Sequence, residues 1–182
     1  DGSAVLTLCL EVALDAVKAA ARDARGRGAT VVLNISPYQR VGADLLDLVD
    51  ILLVNNHELA DLTGQADFDP LGDWTGVIEA TAAALGENGP RTVVVTLGSK
   101  GARIIDLDAA TASAQIPSPK VTPVDTTGCG DAFLAALAFR LAGGDDLQAA
   151  CAFAVRVGAY AATGEGAQNS YPTAEQLANW KP

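Results

Sequence analysis

The chain has 182 residues, 49% of them hydrophobic, enough to bury a substantial core, and its length points to one domain. Twelve Lys and Arg stand against twenty-two Asp and Glu, a net charge of −10 with no basic cluster, which excludes nucleic acid as the expected partner. Three cysteines without CxxC spacing exclude a disulfide framework, and no apolar run reaches the length of a membrane span.

Ala4 to Leu8 reads as a strand already under way. With no Met anywhere, the sequence reads as the rear portion of a longer protein. Glu11 to Arg25 has helical spacing, Val12, Ala16, Val17 and Ala20 on one face and Lys18, Arg22 and Asp23 on another. Thr30–Leu33 is a β-branched strand, Asn34–Pro37 a loop and Ala43–Val49 a short helix. Ile51–Val54 is a second buried strand, followed by Asn55-Asn56-His57-Glu58 and a helix over Leu59–Leu62. A helix spans Trp74–Leu85 and a strand Thr92–Thr96. The turn Leu97-Gly98-Ser99-Lys100-Gly101 leads to a returning stretch, Ala102–Leu107, and the Ala102–Ser113 region is expected to add antiparallel strands. Lys120–Val124 is extended, Ala132–Ala142 and Leu147–Ala162 are apolar helices, and a short helix begins near Thr173.

Helices alternating with short, continuously apolar strands predict an α/β fold, a mostly parallel sheet with helices on both faces. Ligands in such folds bind beyond the carboxyl ends of the strands. Asn34, Asn55, Gly98 and Gly128 each follow a predicted strand end, which puts four segments on one edge.

The run Asp125-Thr126-Thr127-Gly128-Cys129-Gly130-Asp131-Ala132-Phe133 carries the most chemistry. Amides at a helix start lack intrahelical partners and bear the positive end of the dipole. Gly128 and Gly130 let another group approach that backbone without a Cβ in the way. The result is an anion pocket with a carboxylate, Asp131, in its first turn. A carboxylate beside phosphate makes sense as a base that takes a proton from an attacking hydroxyl while the amides hold the phosphoryl charge. Against this, an Asp in a first helical turn is favoured by the dipole whatever its function.

Other segments also have two readings. Gly98–Gly101 is a hairpin turn, or a loop whose amides and Lys100 face a nucleotide. Asn55 and Glu58 form a capping box, or Asn55 contacts phosphate while Glu58 orients magnesium-bound water. His57, the sole histidine, excludes a multi-histidine zinc site and reads as a surface residue. Cys129 at a helix start is a tolerated small residue, or a thiol with lowered pKa. There is no GxxxxGK[ST] motif, and Phe133 stands where a dinucleotide fingerprint needs glycine.

Together these segments resemble the ribokinase branch of the PfkB-type carbohydrate kinases. Val124–Phe133 matches that family's signature. Asn55-Asn56-His57-Glu58 with Leu62-Thr63-Gly64, Thr96–Gly101 and Gly166-Ala167-Gln168-Asn169-Ser170 follow in order. Leu10-Glu11, Leu33-Asn34 and Gly166-Ala167-Gln168 carry the likeness to ribokinases among the sugar and nucleoside kinases. The resemblance implies an ATP-dependent kinase acting on a sugar hydroxyl, D-ribose O5 first, with the complete protein a homodimer, while the acidic balance and reduced thiols point to the cytoplasm. Asp131 is then the base, and the amides of Gly128, Cys129, Gly130 and Asp131 the anion hole. Asn55, Thr96, Leu97, Gly98, Ser99, Lys100 and Gly101 contact ATP, Glu58 serves Mg2+, and Glu11 touches the sugar. A monovalent cation, K+, is held by Asp125, the carbonyls of Thr127, Ala161, Gly164 and Gly166, and Ser170. The usual Ala of the signature is replaced by Cys129. The family's front section, with its glycine-rich sugar-binding segment and β-strand lid, has no counterpart here. Residues 1–182 are therefore expected to carry the nucleotide half, nearly inactive alone. Two rival readings stand beside this one: a non-catalytic nucleotide-binding module, and a sister kinase for fructose, a phosphosugar or a nucleoside.

Overall fold

The computed structural model describes residues 4–65, 68–109 and 113–182. They divide into two compact units, one comprising the chain up to Leu97 with Arg103–Ala114, the other Gly98–Ala102 with Gln115–Pro182. A six-stranded sheet runs in sequence order: β1 (Val5–Leu8), β2 (Thr30–Asn34), β3 (Ile51–Asn55), β4 (Thr92–Thr96), β5 (Ala102–Asp106) and β6 (Ser113–Ile116). All of it lies in the first unit except Ala102 and the last two residues of β6.

Strands β1 to β4 are parallel neighbours, with Leu8 opposite Leu33, Leu33 opposite Leu52 and Asn55 opposite Thr96. Each parallel step needs a crossover. Helices α1 (Leu14–Gly26), α2 (Ala43–Leu46), α3 (Asn56–Thr63) and α4 (Thr75–Leu85) supply them. Only a few residues join β4 to β5 and β5 to β6, too few for a parallel crossover, so these strands run antiparallel, as expected. Residues 110–112 of the expected antiparallel stretch lie outside the described residues.

Alternation across each strand explains the unbroken apolar runs. Val31, Leu33, Leu52, Val54, Val93 and Val95 point into a core with Val17 and Ala21 of α1 and Leu59 of α3. The intervening Val32, Leu53 and Val94 are buried too, so both faces of the central strands are covered. Burying one such side chain contributes about 1.5–3 kcal/mol.

In the second unit, α5 (Cys129–Ala142) and α6 (Leu147–Ala161) form a helical hairpin around Phe133, Leu137, Cys151 and Val155, and α7 (Ala174–Asn179) follows. Asp146 caps α6, its side chain accepting the Ala149 N–H at 2.7 Å. The segment around α7 is tied to α6 by the Arg156 guanidinium, which donates to the carbonyls of Leu177 and Trp180, both at 2.9 Å.

Several expectations need correction: α2 ends at Leu46 rather than Val49, and α5 opens at Cys129 rather than Ala132. Glu11 precedes α1 rather than opening it; the helix starts at Leu14. Helix α3 begins at Asn56, three residues before its expected start, because the Asn55 side chain caps it there. Lys120–Val124 forms no strand: the N–H groups of Val124 and Asp125 both turn to the Ala162 carbonyl, at 2.7 and 3.4 Å. Gly128 therefore does not follow a strand of the sheet, unlike Asn34, Asn55 and Gly98.

Candidate functional site

In the first unit the candidate residues gather at the carboxyl ends of the parallel strands. Glu11 is exposed just beyond β1, Asn34 ends β2, Asn55 ends β3 and Thr96 ends β4. Asn55 and Thr96 are register partners, and the Thr96 hydroxyl donates to the Val54 carbonyl at 3.4 Å. The capping box on α3 is formed in full. Asn55 Oδ1 accepts the His57 and Glu58 N–H groups at 2.8 and 2.9 Å, and Glu58 Oε2 accepts the Asn55 N–H at 2.7 Å. Glu58 is only 7% exposed, and the oxygen that takes no bond in the capping box keeps some access to solvent. No group of three or more His, Cys, Asp or Glu suited to a metal occurs among the described residues. His57 is exposed and contributes only its backbone N–H to the cap.

In the second unit, Gly98–Lys100 is an exposed turn of 3-10 helix. Gly101 behind it is fixed by crowding. Its φ is +91°, and a Cβ there would sit 1.9 Å from the Ile116 carbonyl oxygen. Gln115 holds the turn by donating to the Lys100 carbonyl at 2.8 Å. The hairpin reading thus accounts for Gly101, while Ser99 and Lys100 remain exposed.

The first turn of α5 is built without a side-chain cap. Gly128 occupies the N-cap position with φ +75°, a left-handed conformation that disfavours any Cβ. The Cys129 N–H donates to the Thr126 carbonyl at 3.2 Å, and the first helical bond runs from the Ala132 N–H to the Gly128 carbonyl at 2.9 Å. The N–H groups of Gly128, Gly130 and Asp131 have no acceptor among the described residues. Asp131 is exposed, one turn into the helix beside these amides. Uncapped amides with an adjacent carboxylate can hold an anion while the carboxylate accepts a proton. The alternative of an activated thiol fails, because burial and then the Asp125 carboxylate push the Cys129 thiol up, not down.

Around this turn the chain closes a second cluster. Asp125 Oδ1 accepts the Thr127 N–H at 2.9 Å and Oδ2 the Gly166 N–H at 3.0 Å. Bonds from the backbone and side chain of Thr127, then from Gly166, hold the Asp125 carboxyl below its usual range. The Ala161 carbonyl accepts the Gly164 N–H at 3.1 Å, and the buried Ser170 hydroxyl donates to the Ala167 carbonyl at 2.7 Å. A Cβ on Gly164 would lie 2.9 Å from that of Ser170, so glycine is needed for the two segments to meet. The fold therefore joins Asp125, Thr127, Ala161, Gly164, Gly166 and Ser170 by short bonds and contacts. The carboxylate, hydroxyl and carbonyl oxygens of these residues are hard donors, the class that could hold an alkali cation.

One residue escaped the sequence reading. The Tyr171 hydroxyl donates to the Gly128 carbonyl at 3.0 Å, across 43 residues. A loop aromatic carries no periodicity, and its one signal was position, directly after Ser170.

Residues 2–174 match the family model described as pfkB family carbohydrate kinase. Among curated relatives, the deoxyribokinase of Salmonella typhi is 35% identical over 174 residues, 95% of this chain and 54% of that protein. The ribokinase of Schizosaccharomyces pombe is 34% identical over 170 residues, 93% and 52% of the two chains. In structure, Arabidopsis thaliana ribokinase complexed with ribose and ATP superposes with a TM-score of 0.84 at 28% identity, over 96% of this chain and 55% of that one. The chain spans about half the length of these relatives. By sequence and by fold alike, it belongs to the pfkB family of carbohydrate kinases.

Proposed function

We propose that the protein to which this chain belongs transfers the γ-phosphoryl group of ATP to a sugar hydroxyl, with D-ribose O5 as the acceptor. The observation that carries this reading is the mouth of α5, where three unpaired amides and the exposed Asp131 carboxylate share one turn. Asp131 takes the proton of the attacking hydroxyl. The amides of Gly128, Gly130 and Asp131 hold charge on the migrating phosphoryl group, and that of Cys129 keeps the turn closed. Positioning and charge stabilisation make up most of the catalysis in phosphoryl transfer.

The other roles follow the same reading. Asn55, Thr96, Leu97, Gly98, Ser99, Lys100 and Gly101 are assigned to ATP. Glu11 serves the sugar. Glu58 would orient waters on Mg2+, an ion that keeps several of its waters and needs no cage of protein ligands. Asp125, Ser170 and the carbonyls of Thr127, Ala161, Gly164 and Gly166 would hold K+, which supplies a fixed positive charge next to the amides.

The test is ADP formation by the complete protein with and without ribose. Ribose-dependent turnover is expected, and Asp131→Asn should lower it by about 10²–10⁴-fold while ATP still binds. Unchanged turnover in that variant would remove Asp131 from the base role. A second reading has its own support: the 35% identical deoxyribokinase favours 2-deoxyribose as acceptor. Comparing kcat/KM for ribose, 2-deoxyribose and fructose decides between the sister substrates.

A further inference from the structure

Tyr171 grips the N-cap of α5 from a segment that itself belongs to the candidate cation loop. Its hydroxyl is 3.0 Å from the Gly128 carbonyl oxygen. That oxygen also accepts the Ala132 N–H, so it is held from two directions. The fit is close. A Cβ on Gly128 would lie 2.6 Å from the Tyr171 hydroxyl and 2.8 Å from the Ala167 Cβ, so glycine's bareness is what admits the phenol. The neighbouring Ser170 is buried, bonded to the Ala167 carbonyl and packed against Gly164. Asp125 ties Gly166 to Thr127 on the other side. The segment from Gly164 to Tyr171 therefore touches the turn before α5 at two points, through the Gly166 N–H at Asp125 and the Tyr171 hydroxyl at Gly128.

We infer that Tyr171 is a positioning residue that sets the orientation of the Gly128–Cys129 peptide and couples the cation loop to the amides at the mouth of α5. The inference rests on the kinase reading above. It assigns the coupling to one hydroxyl. Donation to the Gly128 carbonyl fixes the peptide plane from which the helix starts, and hence where the following amides of Gly130 and Asp131 point. A cation held by Asp125, Ser170 and their neighbours would act on that plane through the Tyr171 hydroxyl. The side chain itself acts only through Gly128.

Tyr171→Phe in the complete protein isolates the hydroxyl, since the ring and its packing remain. One hydrogen bond corresponds to roughly a three- to tenfold effect. The variant should lose about that factor in kcat for sugar phosphorylation, with KM for sugar and the affinity for ATP unchanged. A second readout needs no turnover: binding of ADP with aluminium fluoride, a mimic of the phosphoryl group in flight, measured by calorimetry in potassium and in a large organic cation. In the wild type, potassium strengthens this binding. In Tyr171→Phe most of that gain should disappear, while ADP alone binds as before. An equal potassium gain in both proteins, or an unchanged kcat, rules out the coupling and leaves the kinase reading standing. A wild type that turns over no sugar removes the kinase reading, and this inference with it.

Discussion

Two glycines, two residues apart, separate structural from chemical constraint at the level of single residues. Gly128 is demanded by the fold: its φ is +75° and a Cβ has no room against Tyr171 and Ala167. Gly128→Ala should cost about 1–3 kcal/mol in backbone strain alone, and more from the clash. For a protein of this size, Tm should then fall by roughly 5 °C or more. Gly130 is different. It lies inside α5 with an ordinary helical conformation, and a Cβ added there meets nothing within 4 Å. Gly130→Ala should therefore leave stability unchanged or raise it, by up to about 1 kcal/mol from helix propensity. If a phosphoryl group approaches that amide, the same methyl intrudes on it, and kcat should drop by about 10²-fold or more. A variant that is as stable as the wild type and as fast would show that Gly130 is bare for no catalytic reason. Calorimetry and steady-state rates on the two variants make the comparison.

At the scale of elements, α3 poses the sharpest question, because one pair of residues satisfies two readings. The capping box is complete, so Asn55 and Glu58 are explained by local structure before any ligand is invoked. Asn55→Ala should cost about 0.5–2 kcal/mol as a lost cap, measurable by urea unfolding. Glu58→Gln keeps an oxygen to accept the Asn55 N–H and should change stability by no more than about 1 kcal/mol, the worth of its charge near the helix start. Its effect on magnesium is then readable without interference: a raised magnesium requirement for turnover supports the metal role, and an identical requirement removes it. The elements also show what a sequence can and cannot disclose. Val93-Val94-Val95 and Leu52-Leu53-Val54 announced strands buried on both faces, because side chains on alternate sides were all apolar. The first turn of α3 was legible as well, because Asn55 and Glu58 stand at capping-box spacing, although the helical run itself was placed only from Leu59. Lys120–Val124 looked extended, yet its last amide is drawn to Ala162, a partner 38 residues away by number that no local pattern announces. Asp125, Gly128 and Ser170 were readable as motif residues. The Tyr171 hydroxyl was not, since its meaning depends on which carbonyl lies opposite.

For the whole molecule, acid separates two electrostatic effects of opposite sign. The net charge is −10 at neutral pH, so acidification towards the isoelectric point near 4.3 relieves self-repulsion and favours the compact state. Three carboxyls work the other way. Asp125 is held down by bonds from Thr127 and Gly166, Asp44 by its bond from Lys18, and Asp73 by bonds from Thr75. Each has a folded pKa below the ordinary 3.8, so its contribution is present above that value and is lost as pH falls through the folded pKa. All three are exposed enough for solvent to weaken the effect, so the difference between two proteins is the better measure. Asp125→Asn keeps one carbonyl oxygen and turns an NH2 group towards one of the two amides, leaving that amide unpaired. The variant should be less stable than the wild type at neutral pH, and the gap should narrow as pH falls below about 3.8, where the wild type also loses its carboxylate. Relief of self-repulsion affects both chains almost equally and cancels in the difference. Urea unfolding of both proteins from about pH 7 down to about pH 3 follows the gap directly. A gap that stays constant over that range would mean that Asp125 acts through its shape and not its charge, and would weaken its assignment as the anionic ligand of a cation.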